Sequence, residues 1–254
     1  MKGLIKVFFI SVIAVFLLAA CSTDEPEYEE SPYIGKTFTV ANEQVWEARG
    51  GKKLSETYFK SSVSVIPIMA EVAIMDATKP INENPVAIKP VGVGIMNNGI
   101  LDISVPQMKS GDLQSWENFL YIPGIGDHFK LWNDLEISDP DVNLNIMLIM
   151  FINASNGSPY AIDRERLFGD RVSLGWETIL YIYVDRDCRI TGTYGDSIVG
   201  SSYGYTAKGL DLRMKEGWNM VCEKQVLGFS GKIAFSLDLK NPQGFRWVML
   251  ENTP

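Results

Sequence analysis

His128 is the only histidine in the 254 residues, so chemistry that needs an imidazole has one place to occur. A zinc site there would need cysteines or carboxylates as its other ligands, and no CxxC or HxxxH spacing is present. A Ser-His-Asp set would also need His128, yet Pro123-Gly124-Ile125-Gly126-Asp127 before it carries no nucleophile-elbow pattern. Asp127 reads instead as a helix cap, with His128 exposed in the first turn. Carboxylates are densest at Asp134, Glu136, Asp139 and Asp141. Asp139-Pro140-Asp141-Val142-Asn143 starts with the spacing of a calcium loop and then departs from it. Leu144 stands where that loop needs glycine, and Met150 where it needs glutamate. Glycan hydrolysis would need two acids facing each other, a distance that spacing along the chain does not specify. Gly92-Val93-Gly94, Gly124-Ile125-Gly126 and Gly35-Lys36-Thr37 lack the glycine-rich lead and helix start of a phosphate loop, and read as strand or turn glycines. No catalytic residue, metal ligand set or cofactor is assigned, and the chain reads as a non-enzyme.

Binding chemistry has a better candidate. Residues 192–209 contain five glycines, several serines, and Tyr194, Tyr203 and Tyr205. Tyrosine gives large amphipathic contacts and glycine gives shape, the composition of antibody-type contact loops. Tyrosine faces also stack on sugar rings. The bland alternative is a long hairpin connection whose tyrosines lie on the sheet. Cys188 shares an alternation face with Ile190, and Cys222 shares one with Trp218 and Met220, so both point inward. They could form a disulfide between strands or remain two separate buried thiols.

The elements that must position these residues are mostly strands. Leu101, Ile103 and Val105 alternate with Asp102 and Ser104; Ile233, Phe235, Leu237 and Leu239 do the same, as do Phe245, Trp247 and Met249. Period-2 alternation marks a strand with one face buried. Residues 146–152 are continuously apolar, as in a strand covered on both sides, and Leu180, Ile182 and Val184 sit in a similar one. Asn98-Gly99 predicts a type I′ hairpin turn, and Asp185-Arg186-Asp187 another turn. Three short helices are expected: one begun near Asp112 with Leu113, Trp116, Phe119 and Leu120 on its face, one over 163–168 closed by Gly169, and one from Asp127 to Leu135. Ten to twelve strands with frequent turns predict an all-β fold, an antiparallel β-sandwich of immunoglobulin-like or jelly-roll-like type. One domain over 36–254 is expected, with an insertion across 111–140 and a candidate subdivision near 106–112.

The N-terminus has a different character. Lys2 and Lys6 precede residues 7–20, apolar except for Ser11 and too short for a bilayer span of about twenty residues. The run ends Leu18-Ala19-Ala20-Cys21, which resembles the lipobox of bacterial lipoproteins. The resemblance implies cleavage of a signal peptide over 1–20 and diacylglycerol on the Cys21 thiol, a permanent anchor in the cell envelope. Ser22 at the next position favours the outer membrane under the family's sorting rule, facing either the periplasm or the surface. Residues 21–35 carry Asp24, Glu25, Glu27, Glu29 and Glu30 with Pro26 and Pro32, and read as an acidic flexible tether; such acids also resemble surface-export tags of some lipoproteins. Without Lys2 and Lys6, the 23 basic residues become 21 against 31 acidic, a net charge of −10. That argues against nucleic acid and against anionic lipid held by a basic patch.

Asp211-Leu212-Arg213-Met214-Lys215-Glu216-Gly217-Trp218-Asn219 resembles a segment of β-rich exported lipoproteins that carry no established activity. The expectation is therefore a lipid-anchored binding or interaction module with a protein or glycan ligand. Its alternatives are a structural or assembly lipoprotein and, less favoured, a glycan-active hydrolase.

Overall fold

The computed structural model describes residues 33–47, 57–60, 65–75, 86–122, 129, 132–152, 159–169, 174–194, 205–206, 209–227, 233–239 and 244–251. They form strands β1 (Tyr33–Gly35), β2 (Phe38–Trp46), β3 (Val65–Ile74), β4 (Ala87–Asn97), β5 (Ile100–Val105), β6 (Gln114–Ser115), β7 (Trp132–Ile137) and β8 (Asn143–Ile152). The second half adds β9 (Pro159–Gly169), β10 (Leu174–Val184), β11 (Cys188–Tyr194), β12 (Tyr205–Thr206), β13 (Leu210–Met214), β14 (Gly217–Leu227), β15 (Ile233–Leu239) and β16 (Arg246–Glu251). A short helix, α1 (Trp116–Tyr121), interrupts them. The chain is mostly β, as its alternation predicts. Among the described residues pairing begins at Tyr33, a strand partner of Asn219, inside the span expected to be tether.

The expected sandwich is corrected. Strand pairings run β3-β4-β5-β2-β16-β9-β10-β8 and return to β3, so these eight strands close into a ring rather than two facing sheets. Closure happens at a fork. One edge of β8 pairs with β3, and its other edge pairs with β10 at residues 144–147 and with β9 at 150–152. One edge of β10 is divided between β9 and β8, and its other edge carries β14 along the full length. A strand so shared has no free edge, which removes the hazard of unpaired backbone. Beyond the ring, β14 leads on to β15 and β12, and β13-β11-β7 form a separate three-stranded sheet.

Alternation decides what fills the ring. Val40, Leu101, Ile103, Val105, Ile68, Val72, Met147, Ile149, Ile162, Ile179 and Trp247 all belong to one buried cluster inside it. Tyr181 stacks on Trp247 with ring centroids 5.9 Å apart, and Tyr183 meets Trp218 edge-on at 5.2 Å. Gly92 and Gly94 make this packing feasible: a Cβ on Gly94 would lie 2.2 Å from the Asp102 carbonyl oxygen. A second core lies on the outer side of the same strands. Leu144, Ile146, Ile182, Val184 and Val221 pack there with Ile190, Leu212 and Met214 of the small sheet and with α1. The continuously apolar run in β8 is thus explained, since its odd residues Met147 and Ile149 face one core and its even residues Leu144 and Ile146 the other.

Local chemistry fixes the joints. Asn98 at φ 51° and Gly99 at φ 81° make the β4–β5 turn, as the Asn-Gly pair predicts. Asp112 does not start the helix; it closes a single 3-10 turn and accepts the Lys109 backbone N–H at 3.0 Å. Ser115 caps α1 instead, accepting from the Asn118 N–H. Buried Asn145 donates to the carbonyls of Ala73 and Asp112 and accepts from the Ile146 N–H, tying this turn to β3 and β8.

One expected helix is a strand, and so is the end of another. Residues 163–168 belong to β9, paired with β16 on one edge and with β8 and β10 on the other. Their charged run looks helical locally, but a ladder to β16 at 163–165 and one to β10 at 165–168 satisfy the backbone better than one exposed turn. Of the helix expected from Asp127 to Leu135, Phe129 is helical, Trp132 and Leu135 lie in β7, paired with β11, and Asp127 and His128 lie outside the described residues.

Candidate ligand face

The outer wall of β9, β10 and β14 carries an unusual row. Thr178 of β10 sits directly between Glu165 of β9 and Glu223 of β14 in the ladder, so all three side chains project from the same face. That face is the outer one, because Ile179 and Cys222, their chain neighbours, point into the ring. Glu165 is 2% exposed and Glu223 5%. The Gln225 amide donates to the Glu223 carboxylate from two residues along. On the far side of Glu165 the row continues to Arg246 of β16.

Arg246 joins the acids to an aromatic stack. Its guanidinium carbon lies 4.2 Å from the centre of the Trp46 ring, and Trp46 meets Tyr58 with centroids 4.3 Å apart. A guanidinium over an indole at this distance is held by the ring's quadrupole. An antiparallel bridge between Trp46 and Tyr58 fixes the pair, and Tyr58 remains 50% exposed at the rim. Half-buried Trp176 lies one step along β10 from Thr178, opposite Gln225. Carboxylates, an amide, a hydroxyl, a guanidinium and aromatic faces thus share one wall. Glu165 and Glu223 stand two strand spacings apart, about 10 Å. Because they share a wall instead of facing across a cleft, they lack the opposed geometry of a glycosidase acid pair.

The sequence-derived candidates distribute as follows. Tyr194 ends β11, opposite Trp132 of the small sheet, and Tyr205 lies in β12, parallel to β15 beside Ile233. The 192–209 segment therefore connects the small sheet to the margin of the large one. Ile233 pairs with Leu227 and Leu227 with Leu174, which places Tyr205 at the same end of the wall as Trp176 and Gln225. Tyr203 and Cys21 lie outside the described residues. Cys188 and Cys222 are separate buried thiols; Cys188 belongs to the outer core and Cys222 to the ring interior. Both inward directions were right, but they lead into different cores. Burial pushes the Cys188 thiol up to about 12.

The Asp139–Asp141 turn serves its neighbours. Asp139 accepts from the Asp141 N–H at 2.9 Å, and Asn143 donates twice to Asp185 at 3.0 and 2.9 Å. Burial pushes the Asp185 carboxyl up, but those two Asn143 bonds and the adjacent Arg186 outweigh it and hold the group below its ordinary value. Asp134 accepts from the Thr193 hydroxyl, and Glu136 sits opposite Thr191. Among the described residues no group of three or more His, Cys, Asp or Glu side chains is arranged to hold a metal ion.

Sequence reasoning missed Glu165, Glu223, Arg246, Trp46 and Tyr58. Alternation could have turned Glu223 outward, since Cys222 beside it points in. The adjacency of Glu165 to Glu223 depends on two ladders whose register no local pattern encodes. No protein-family model, curated protein or solved structure matches the chain.

Proposed function

We propose that the chain is an envelope lipoprotein anchored through Cys21, whose β body binds a hydroxyl-rich ligand, a glycan, on the outer wall of β9, β10 and β14. The observation that carries this reading is the Tyr58–Trp46–Arg246 stack running into the Glu165–Thr178–Glu223 row. A sugar ring offers an apolar face that stacks on an aromatic ring face, here the half-exposed Tyr58. Its hydroxyls bond to half-buried polar groups such as Thr178, Gln225 and Arg246, and the buried Glu223 carboxylate positions the Gln225 amide from behind. The Tyr205 end of the 192–209 segment pairs beside Ile233 at the same end of this wall.

Affinity electrophoresis of the full chain against purified envelope polysaccharides tests the reading. Tyr58→Ala should weaken retention at least about ten-fold, the cost of one lost stacking contact near 1.4 kcal/mol. Deleting residues 203–205 should weaken it less. Retention of no polysaccharide, or equal retention by Tyr58→Ala, would make the glycan assignment wrong.

A further inference from the structure

The wall on another side of the ring is bare and apolar. Along β4 the outward residues Ile88, Val93 and Ile95 are 53%, 70% and 46% exposed, and Val65 beside them on β3 is 46% exposed. Pro67, also exposed, sits directly opposite Ile95. Val93 and Ile95 alternate with Gly94, which faces inward, so their direction follows from the pleat rather than from a loop. Contiguous exposed apolar surface on a sheet marks a contact site rather than a chance of composition.

Charge narrows the occupant. The only cation in either strand, Lys89, has the opposite parity and is paired with Asp112. Among the described residues of these strands the charges on this side are both acidic: Glu71 on β3 and Asp102, directly opposite Ile95 on β5. A second copy packed about a two-fold axis would set these carboxylates against each other. Among the described residues, β3, β4 and β5 offer no base on this side for the phosphates of anionic lipid. A zwitterionic bilayer fits both features, with acyl and glycerol carbon for the aliphatic side chains and headgroup ammonium for the carboxylates.

The length of the leader supplies the last argument, and here the inference rests on the Cys21 anchor. Cys21 and Tyr33 are separated by twelve residue steps, at most about 43 Å of extended chain. A body held that close meets the bilayer at an effective concentration of order millimolar. A strip too weak to hold a free protein on lipid is then largely occupied. We propose that the β3–β4 strip of Val65, Pro67, Ile88, Val93 and Ile95 seats on the zwitterionic lipid surface beside the anchor, leaving the Glu165–Glu223 wall turned away from it.

The test uses the full lipidated chain in phosphatidylethanolamine–phosphatidylcholine vesicles. Val93→Cys and, separately, Ile95→Cys carry a polarity-sensitive fluorophore, and Glu136→Cys on the exposed face of β7 serves as the reference. Cys188 and Cys222, being buried, stay unlabelled. Quenching by spin-labelled lipid should be several-fold stronger at positions 93 and 95 than at 136, with blue-shifted emission. Equal quenching at all three positions while the protein still floats with the vesicles overturns the strip and leaves the anchor intact. Failure of the full chain to float overturns both. Protection of position 93 that grows with protein concentration, without lipid quenching, assigns the strip to a second copy and overturns the lipid assignment.

Discussion

Cys188 and Cys222 show how a single contact residue depends on which core it enters. Both alternate inward, yet one lies under the small sheet and the other inside the ring. At pH 8 neither should react with a thiol reagent in the folded protein. Cys188 stays protonated because burial pushes it up to about 12, and both should react after unfolding in denaturant. A reductant should leave the melting temperature unchanged; a fall of several degrees would indicate a disulfide. Gly94 makes a second point at this scale. A Cβ there would meet the Asp102 carbonyl oxygen at 2.2 Å and the Ile103 Cα at 2.8 Å, both backbone atoms that cannot step aside. Gly94→Ala should therefore cost about 1–3 kcal/mol or more, read by denaturant unfolding, whereas Gly111→Ala in open space should cost far less.

At the scale of elements, the β13–β14 turn is the best defined by side chains. Buried Asn219 donates to the carbonyls of Lys215 and Gly217 and accepts from the Lys215 N–H at 3.0 Å. Asn219→Ala strips all three, and a loss of about 2–3 kcal/mol is expected in the same unfolding measurement. Asp187 holds the turn from outside, accepting from the Glu216 N–H at 2.9 Å. That backbone bond, followed by Lys215, holds the Asp187 carboxyl below its ordinary value; the Arg189 side chain does the same for Asp211. A carboxyl lowered in the folded state adds stability that is fully present above its unfolded value near 3.9 and is lost as pH falls through the folded one. Loss is thus expected only below about pH 4. Both groups are exposed enough for solvent screening to keep each contribution under about 1 kcal/mol. Asp187→Asn should lower the neutral plateau by up to about 1 kcal/mol and flatten the acid limb, so that the two profiles converge in acid. The element scale is also where local reading failed. Residues 163–168 offer a charged run that suits a helix, and only the ladders to β16 and β10 make it a strand. Asn98-Gly99 succeeded because its turn needs nothing beyond its own two residues.

At the scale of the whole molecule, the strand content, the inward residues of β5 and β16 and the doubly covered β8 were legible, because pleat parity is written into the sequence. Ring closure was not. It depends on β8 pairing with β3, and β16 with β2 and β9, strands far apart in the chain, together with the shared edges of β8 and β10, and periodicity carries no pairing information. The same reason hid the candidate wall, where Glu165 and Glu223 meet across β10 from positions 58 residues apart. It also hid the bare β3–β4 strip, whose outward residues look like ordinary buried strand until the ring assigns them a side. The functions proposed for the two walls of the ring body both rest on the proposed attachment through Cys21. The most direct measurement is therefore mass spectrometry of the N-terminal peptide from the envelope-extracted protein. We predict a chain beginning at Cys21 with diacylglycerol on its sulfur, and loss of that mass in Cys21→Ser. A protein that retains residues 1–20, or begins at Cys21 with a free thiol, would contradict the account.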